Sequence, residues 1–383
     1  MAETFGAWAG LGAARSPVLQ PACGGPTGIA PILQVHPTRR CNLACAHCYT
    51  TSGPHEAGQL PLALLCAAVD DAVTLGYGQL AVSGGEPLLY EALPALLQHA
   101  RRQGLLTSIT SNGLLMSPRR WDAVAPHLDR LAISVDGREA THDALRGQPG
   151  ALARTLRLLE QPRRTGTPFG FIFTLTQHNV DELEDVVAMA AEHGAQSVQV
   201  HPLTLHGRAR QALPGARPDG MELLAAIVEA QRLAQALQAH RGVRVQVDAL
   251  SQAQILAHRE RLVPTWPVAS LGALAPVLVL QADGQVLPLT HELPPSLWLG
   301  SVHEAPLKAL AARWLHSRAS QRLVQALERT WTELAAGAQP AAYWYDEVAA
   351  RAQAQPVPVP VHVAGPQRAV LRRSDAVAAG ARA

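Results

Sequence analysis

Three cysteines, Cys41, Cys45 and Cys48, lie in the run Thr38-Arg-Arg-Cys41-Asn-Leu-Ala-Cys45-Ala-His-Cys48-Tyr49. The C-x3-C-x2-C spacing suits three corners of an iron–sulfur cube. A structural zinc site normally adds a fourth Cys or His, often from a second CxxC pair. His36 and His55 are near enough in sequence to serve, whereas His47, wedged between two cysteines, is awkwardly placed. On the cysteines alone a cluster, a zinc knuckle and unliganded thiols all stand. Three protein ligands on four irons would leave one iron open, and an open site is a catalytic device.

Downstream, three more consecutive strand ends carry ligand-type residues: Ser83-Gly84-Gly85-Glu86-Pro87, Thr110-Ser111-Asn112-Gly113 and Ser134-Val-Asp136-Gly137. His201 ends the sixth strand, in Val200-His201-Pro202. Two glycines let a backbone approach a ligand closely, and a glutamate at a strand end can pair with a cationic amine. Each segment taken alone is also an ordinary turn.

The elements that must position these residues alternate. Ile32–His36, Leu80–Ser83, Thr107–Thr110, Leu131–Val135, Phe169–Leu175 and Val198–His201 read as strands. Between and after them, Pro61–Gly76, Glu91–Gln103, Pro118–Ala125, Leu152–Glu160, Val180–His193 and Met221–His240 carry helical periodicity. Strict β–α alternation predicts a parallel sheet with its chemistry at the strand C-terminal ends. Six such units predict an α/β fold, a partial (β/α)6 TIM-type barrel over 31–250. A small C-terminal α+β appendage follows over 251–350. It has a hairpin, Val277–Leu280 with Val286–Leu289 turning at Asp283-Gly284, and helices at Ala305–His316 and Ala319–Ala335. Residues 1–30 read as a loose lead-in, and 351–383, rich in Pro, Ala and Arg, as a disordered tail.

Composition narrows the function. Net charge is +2, and aromatics are only 4%, so neither a nucleic-acid coat nor a base-stacking platform is indicated. No apolar run reaches the length of a membrane span. The Met1-Ala-Glu-Thr-Phe start has no basic n-region of a secretory signal. Five cysteines, three of them clustered, argue for a reducing compartment and a cytoplasmic protein. Cys66 lies beside Leu64 and Leu65 on a helix and reads as a buried structural thiol, while Cys23 falls in the lead-in.

Cys41-x3-Cys45-x2-Cys48-Tyr49 followed by Gly84-Gly85-Glu86-Pro87 resembles the radical S-adenosylmethionine (SAM) superfamily. Further segments are similar to its peptide-maturing branch and that branch's haem-pathway relatives. They are Ile133-Ser-Val-Asp136-Gly137, Thr141-His142-Asp143-Ala-Leu-Arg146-Gly147 and Gly207-Arg208-Ala209. The resemblance implies that Cys41, Cys45 and Cys48 hold a [4Fe-4S] cluster whose open iron chelates SAM. It implies that Gly84, Gly85 and Glu86 secure the SAM amine and that Arg146 meets its carboxylate. Ser134 and Asp136 would lie near the ribose and methionine portions. Tyr49 would flank the adenine, with Ser111, Asn112 and His201 as further contacts. It further implies reductive cleavage of SAM to a 5′-deoxyadenosyl radical that takes hydrogen from a substrate. An electron donor such as flavodoxin or ferredoxin would be needed, and for a ribosomal peptide a precursor peptide and a separate leader-binding protein. Peptide or protein side chains are the expected substrates; a small-molecule cofactor or natural-product intermediate is the alternative. An alternative of another class is a non-catalytic iron–sulfur or zinc protein. Peptide maturases of this type often carry a cysteine-rich SPASM or twitch extension with auxiliary clusters. Here no cysteine follows Cys66, and Leu289 stands where one would follow Pro288. The expected extension is therefore degenerate and metal-free.

Overall fold

The computed structural model describes residues 30–238 and 242–353. The expectations for Cys23, the lead-in up to residue 29 and the tail from residue 354 lie outside the described residues.

One sheet runs through the molecule. Its strands are β1 (Ile32–Val35), β2 (Gln79–Val82), β3 (Leu106–Ser111), β4 (Arg130–Ser134), β5 (Phe169–Leu175), β6 (Ser197–Pro202), β7 (Arg244–Val247), β8 (Val277–Leu280), β9 (Gln285–Pro288) and β10 (Gly300–Ser301). The spatial order is β10-β9-β8-β1-β2-β3-β4-β5-β6-β7, parallel from β8 to β7. Strands β9 and β10 are antiparallel additions at one edge. The expected hairpin thus joins the barrel's own sheet, with Leu33 of β1 in register with Leu278 of β8.

The connecting helices are α1 (Leu62–Thr74), α2 (Leu93–Arg102), α3 (Pro118–Val124), α4 (Glu139–Arg146), α5 (Ala151–Leu158), α6 (Glu160–Thr165), α7 (Leu183–His193) and α8 (Gly220–Gln238). The C-terminal part adds α9 (Leu307–Leu315), α10 (Arg318–Ala336) and α11 (Trp344–Gln353). Five of these elements escaped the sequence reading: β7, β10, α4, α6 and α11. The apolar face expected on α1, Leu62, Leu65, Val69 and Ala72, is buried at the last three and half-buried at Leu62. Cys66 does not fit its expectation, because it falls off that face and is only half-buried.

Side chains alternate across a strand, and here the alternation divides core from cavity. Leu33, Val35, Leu80, Val82, Ile109, Leu131, Ile133, Phe171 and Phe173 belong to the main hydrophobic core. Their neighbours in sequence (Gln34, Ala81, Ser108, Thr110, Ala132, Ser134 and Thr174) line a cavity of about 350 Å³. Buried parallel strands are usually apolar on both faces. Small and polar inward residues keep this interior open.

Candidate active site

The loop between β1 and α1 brings Cys41, Cys45 and Cys48 onto the cavity wall. Backbone contacts set its shape. Gly85 N–H donates to Thr38 O at 3.0 Å, and Glu86 N–H to Arg40 O at 2.9 Å. A Cβ on Gly85 would fall inside the Arg40 carbonyl, and one on Gly84 would lie 2.7 Å from His36 Cβ. The glycine pair is therefore required for the clasp between two strand-end loops. Helix α4 ends at Gly147 with φ of 65°, a left-handed cap. One of its last-turn carbonyls, Leu145 O, accepts from Ala46 N at 2.8 Å.

A second clamp was missed by sequence reasoning. Gly207 lies so close to Cys48 O and Tyr49 O that a Cβ would overlap both. Arg208 N donates to Cys48 O at 2.9 Å. Its Nη1 donates to Cys45 O and its Nη2 to Ser52 O, each at 2.7 Å. The Gly207-Arg208 pair stood in the sequence as a signature without a role.

Each cysteine sulfur has its own polar neighbour. Asn112 Nδ2 is 3.8 Å from Cys41, Arg146 Nη1 is 3.8 Å from Cys45, and Thr50 Oγ1 is 3.4 Å from Cys48. The rest of the surround is apolar, from Leu43, Leu114 and Ala151. Burial pushes the Cys41 thiol up to about 12, and it also raises Cys45, against which Arg146 works. Such thiols lose their protons to a bound cationic centre rather than to water. Among the described residues no three His, Cys, Asp or Glu are placed to hold a single metal ion. Three cysteine sulfurs on one cavity wall fit the donor set of an iron–sulfur cluster with one open iron.

Glu86 is 1% exposed. Its Oε1 accepts from Ser111 Oγ at 2.9 Å and Leu88 N at 3.2 Å, and its Oε2 from Asn112 N at 3.0 Å. One lone pair on Oε2 is left. Burial raises this carboxyl above its ordinary range, opposed by those donors. Asp136 is fully buried and does not line the cavity. Its Oδ2 takes Arg146 Nε at 2.7 Å and Nη2 at 2.6 Å, and its Oδ1 takes Thr174 N at 3.1 Å. Burial alone would raise it, but Arg146, with His47 and His142, holds it well below the carboxylate range. Arg146 itself lines the cavity.

Tyr49 stacks on His291 at 4.2 Å between ring centroids, and its hydroxyl is 3.2 Å from Ser83 Oγ. Leu289, with φ of 62°, turns the chain after β9 so that Thr290, His291 and Glu292 join the wall. His201 Nδ1 is 3.0 Å from Asp248 Oδ2, which also accepts from Gln199 Nε2 at 2.7 Å. Burial and the neighbouring Glu292 carboxyl push Asp346 up to about 7, although Arg217 pairs with it. Of the residues singled out in the sequence, Cys41, Cys45, Cys48, Tyr49, Gly84, Gly85, Glu86, Ser111, Asn112, Ser134, Arg146 and His201 meet at one cavity, and Asp136 stands behind it.

Residues 35–190 match the family model described as the radical SAM superfamily. This part of the chain is a radical SAM domain. The chain is 34% identical over 180 residues to pre-heme d1 synthase of Dinoroseobacter shibae, covering 46% of this chain and 45% of that protein. It is 33% identical over 173 residues to PqqA peptide cyclase of Ruegeria pomeroyi, covering 44% and 46%. The chain thus spans about half the length of the curated relatives it matches. The fold resembles Streptococcus suis SuiB bound to S-adenosylmethionine, with a TM-score of 0.60, 15% identity, 76% of this chain covered and 67% of that one. The radical SAM domain explains the clasped cysteine loop and the open barrel interior together. Among the described residues no helix is long and apolar enough to cross a membrane.

Proposed function

We propose that the chain is a radical SAM enzyme that modifies a peptide or protein side chain in a maturation pathway. The observation that carries this is the cysteine loop: three thiols, Cys45 buried and Cys41 and Cys48 half-buried, each with its own polar neighbour, facing a cavity that continues into the barrel. Cys41, Cys45 and Cys48 hold the [4Fe-4S] cluster. Reduced and with SAM bound, that pair supplies a carbon radical able to take hydrogen from an unactivated C–H bond.

The chain's own residues bind, orient and exclude water. Gly84 and Gly85 fix the loop against which the SAM amine sits. The remaining lone pair of Glu86 accepts from that ammonium, and the added positive charge favours the ionised carboxylate. Ser111 and Asn112 are held by Glu86, so their contribution to SAM is through a fixed backbone turn. Arg146 keeps one face on Asp136 and presents the other to Cys45 and the SAM carboxylate. Ser134 faces the ribose. Asp136 acts through Arg146. Tyr49, braced by His291, flanks the adenine, and His201 touches adenine or substrate. A flavodoxin or ferredoxin supplies the electron. A precursor peptide is the partner, recognised directly or through a separate leader-binding protein.

A second reading, a small tetrapyrrole-type substrate, is favoured by the similarity to pre-heme d1 synthase and to AdoMet-dependent heme synthase of Methanosarcina barkeri. Both readings share the radical step. Anaerobic reconstitution followed by electron paramagnetic resonance tests that step. A reduced cluster whose spectrum changes on adding SAM supports it, and a silent or SAM-indifferent signal contradicts it.

A further inference from the structure

One charge inside the barrel has no part in the site described above. Arg130 opens β4 in register with Ser108 of β3. Leu131 and Ile133 turn outward into the core, while Arg130, Ala132 and Ser134 line the cavity. Arg130 is only 4% exposed. Among the described residues its guanidinium has no hydrogen-bond or ion-pair partner, and its nitrogens are not sealed away from the cavity.

The neighbouring charges do not fill that need. Asp129 is taken up elsewhere: Oδ2 accepts from Thr107 N at 2.9 Å and Thr107 Oγ1 at 3.0 Å, and Oδ1 pairs with Arg101 at 3.5 Å. Asp129 still acts favourably on Arg130 through space, without a hydrogen bond or ion pair between them, and Arg244, at the start of β7, opposes that with a second positive charge. Arg146 shows the contrast, since it is similarly buried yet has Asp136 at 2.6 Å. A buried guanidinium cannot shed its proton to escape the cost of burial. Its fork matches a carboxylate or phosphate. Asp248 and Glu292 line the same cavity, and each keeps one buried oxygen without a partner among the described residues. An anion is repelled there and directed to Arg130.

We propose that the barrel interior contains an anion subsite in which Arg130 receives a carboxylate-class group, borne by the substrate or free in solution. This goes beyond the radical reading and does not depend on it.

The test uses the full chain and Arg130→Met, unfolded by heat in a halide-free zwitterionic buffer. Acetate, butyrate, hexanoate and bromide are titrated at matched total salt. Without anions, Arg130→Met unfolds at or above the wild-type midpoint, because an unpaired buried cation has been removed. Anions raise the wild-type midpoint saturably, by about 2 °C or more, and leave the variant flat. Affinity rising from acetate to hexanoate identifies a carboxylate carried on a larger ligand. Affinity falling from acetate to hexanoate identifies a small free carboxylate, and bromide binding tighter than every carboxylate overturns the proposal. The proposal is overturned if no anion gives a saturable shift in the wild type, a result that stands even if the variant does not fold. It is equally overturned if wild type and Arg130→Met respond alike. Neither readout involves SAM, so failure here is separate from failure of the radical step.

Discussion

Arg146 and Asp136 form an enclosed ion pair, Nη2 to Oδ2 at 2.6 Å, while the same guanidinium reaches Cys45 Sγ at 3.8 Å. Asp136 does not itself line the cavity, yet it decides where Arg146 can point. Asp136→Asn leaves a buried arginine uncompensated, and a broken buried pair costs about 3–5 kcal/mol. Thermal unfolding of Asp136→Asn should show that loss. Asp136→Asn combined with Arg146→Met should recover part of it. Equal stability of Asp136→Asn and wild type would contradict the pairing.

The clasp around the cysteine loop depends on absent side chains. Gly85→Ala and Gly207→Ala each force a Cβ into backbone carbonyls of that loop. Both should lose most of the iron bound after anaerobic reconstitution. Gly150→Ala is the control: its φ of 73° is strained for alanine, but nothing lies within 4 Å of the added carbon. It should cost about 1 kcal/mol of stability and keep its iron. Iron content per chain decides.

Arg208 should behave as a clamp. Arg208→Met removes two side-chain bonds, to Cys45 O and Ser52 O. Loss of two hydrogen bonds from a charged donor amounts to about 3–6 kcal/mol. The expected result is faster iron release to a chelator, with Arg210→Met unchanged. Equal release rates would contradict the role.

Much of this arrangement was legible in the sequence, for physical reasons. Period-2 alternation in β4 separates Leu131 and Ile133 from Ala132 and Ser134, and the same rule would have flagged Arg130 as inward-facing. The cysteine spacing pointed to its chemistry. Non-local contacts were not legible. Nothing local in β8 says that it pairs with β1, and nothing in Glu86 says that three donors from Leu88, Ser111 and Asn112 converge on it. The glycine pair was expected to admit a ligand, and it admits the neighbouring loop. Leu289 was read as a lost cysteine position, and nothing in the sequence shows that its left-handed backbone brings His291 to Tyr49.

Acid should destabilise the fold well before ordinary carboxylates titrate. Burial lowers His36 to about 4, and burial with Arg146 does the same to His142. As pH falls through about 6.5 the unfolded chain takes up these protons while the folded chain does not. Stability is therefore full above that range and falls from about pH 6.5 to 4, by up to ~1.4 kcal/mol per pH unit for each histidine. Asp136, held low by Arg146, adds a further loss only below about pH 4. Unfolding midpoints between pH 8 and 5 should drop on the acid side. His142→Gln should flatten part of the drop, and a flat wild-type profile would contradict the buried neutral histidines.

The central claim is tested most directly by counting 5′-deoxyadenosine. The protein is reconstituted anaerobically with iron and sulfide, reduced with dithionite and given SAM, beside a variant carrying Cys41→Ala, Cys45→Ala and Cys48→Ala. The account predicts about four irons per chain and nucleoside from the intact protein only. Zinc in place of iron, or full iron loading with no nucleoside from the intact protein, would contradict it.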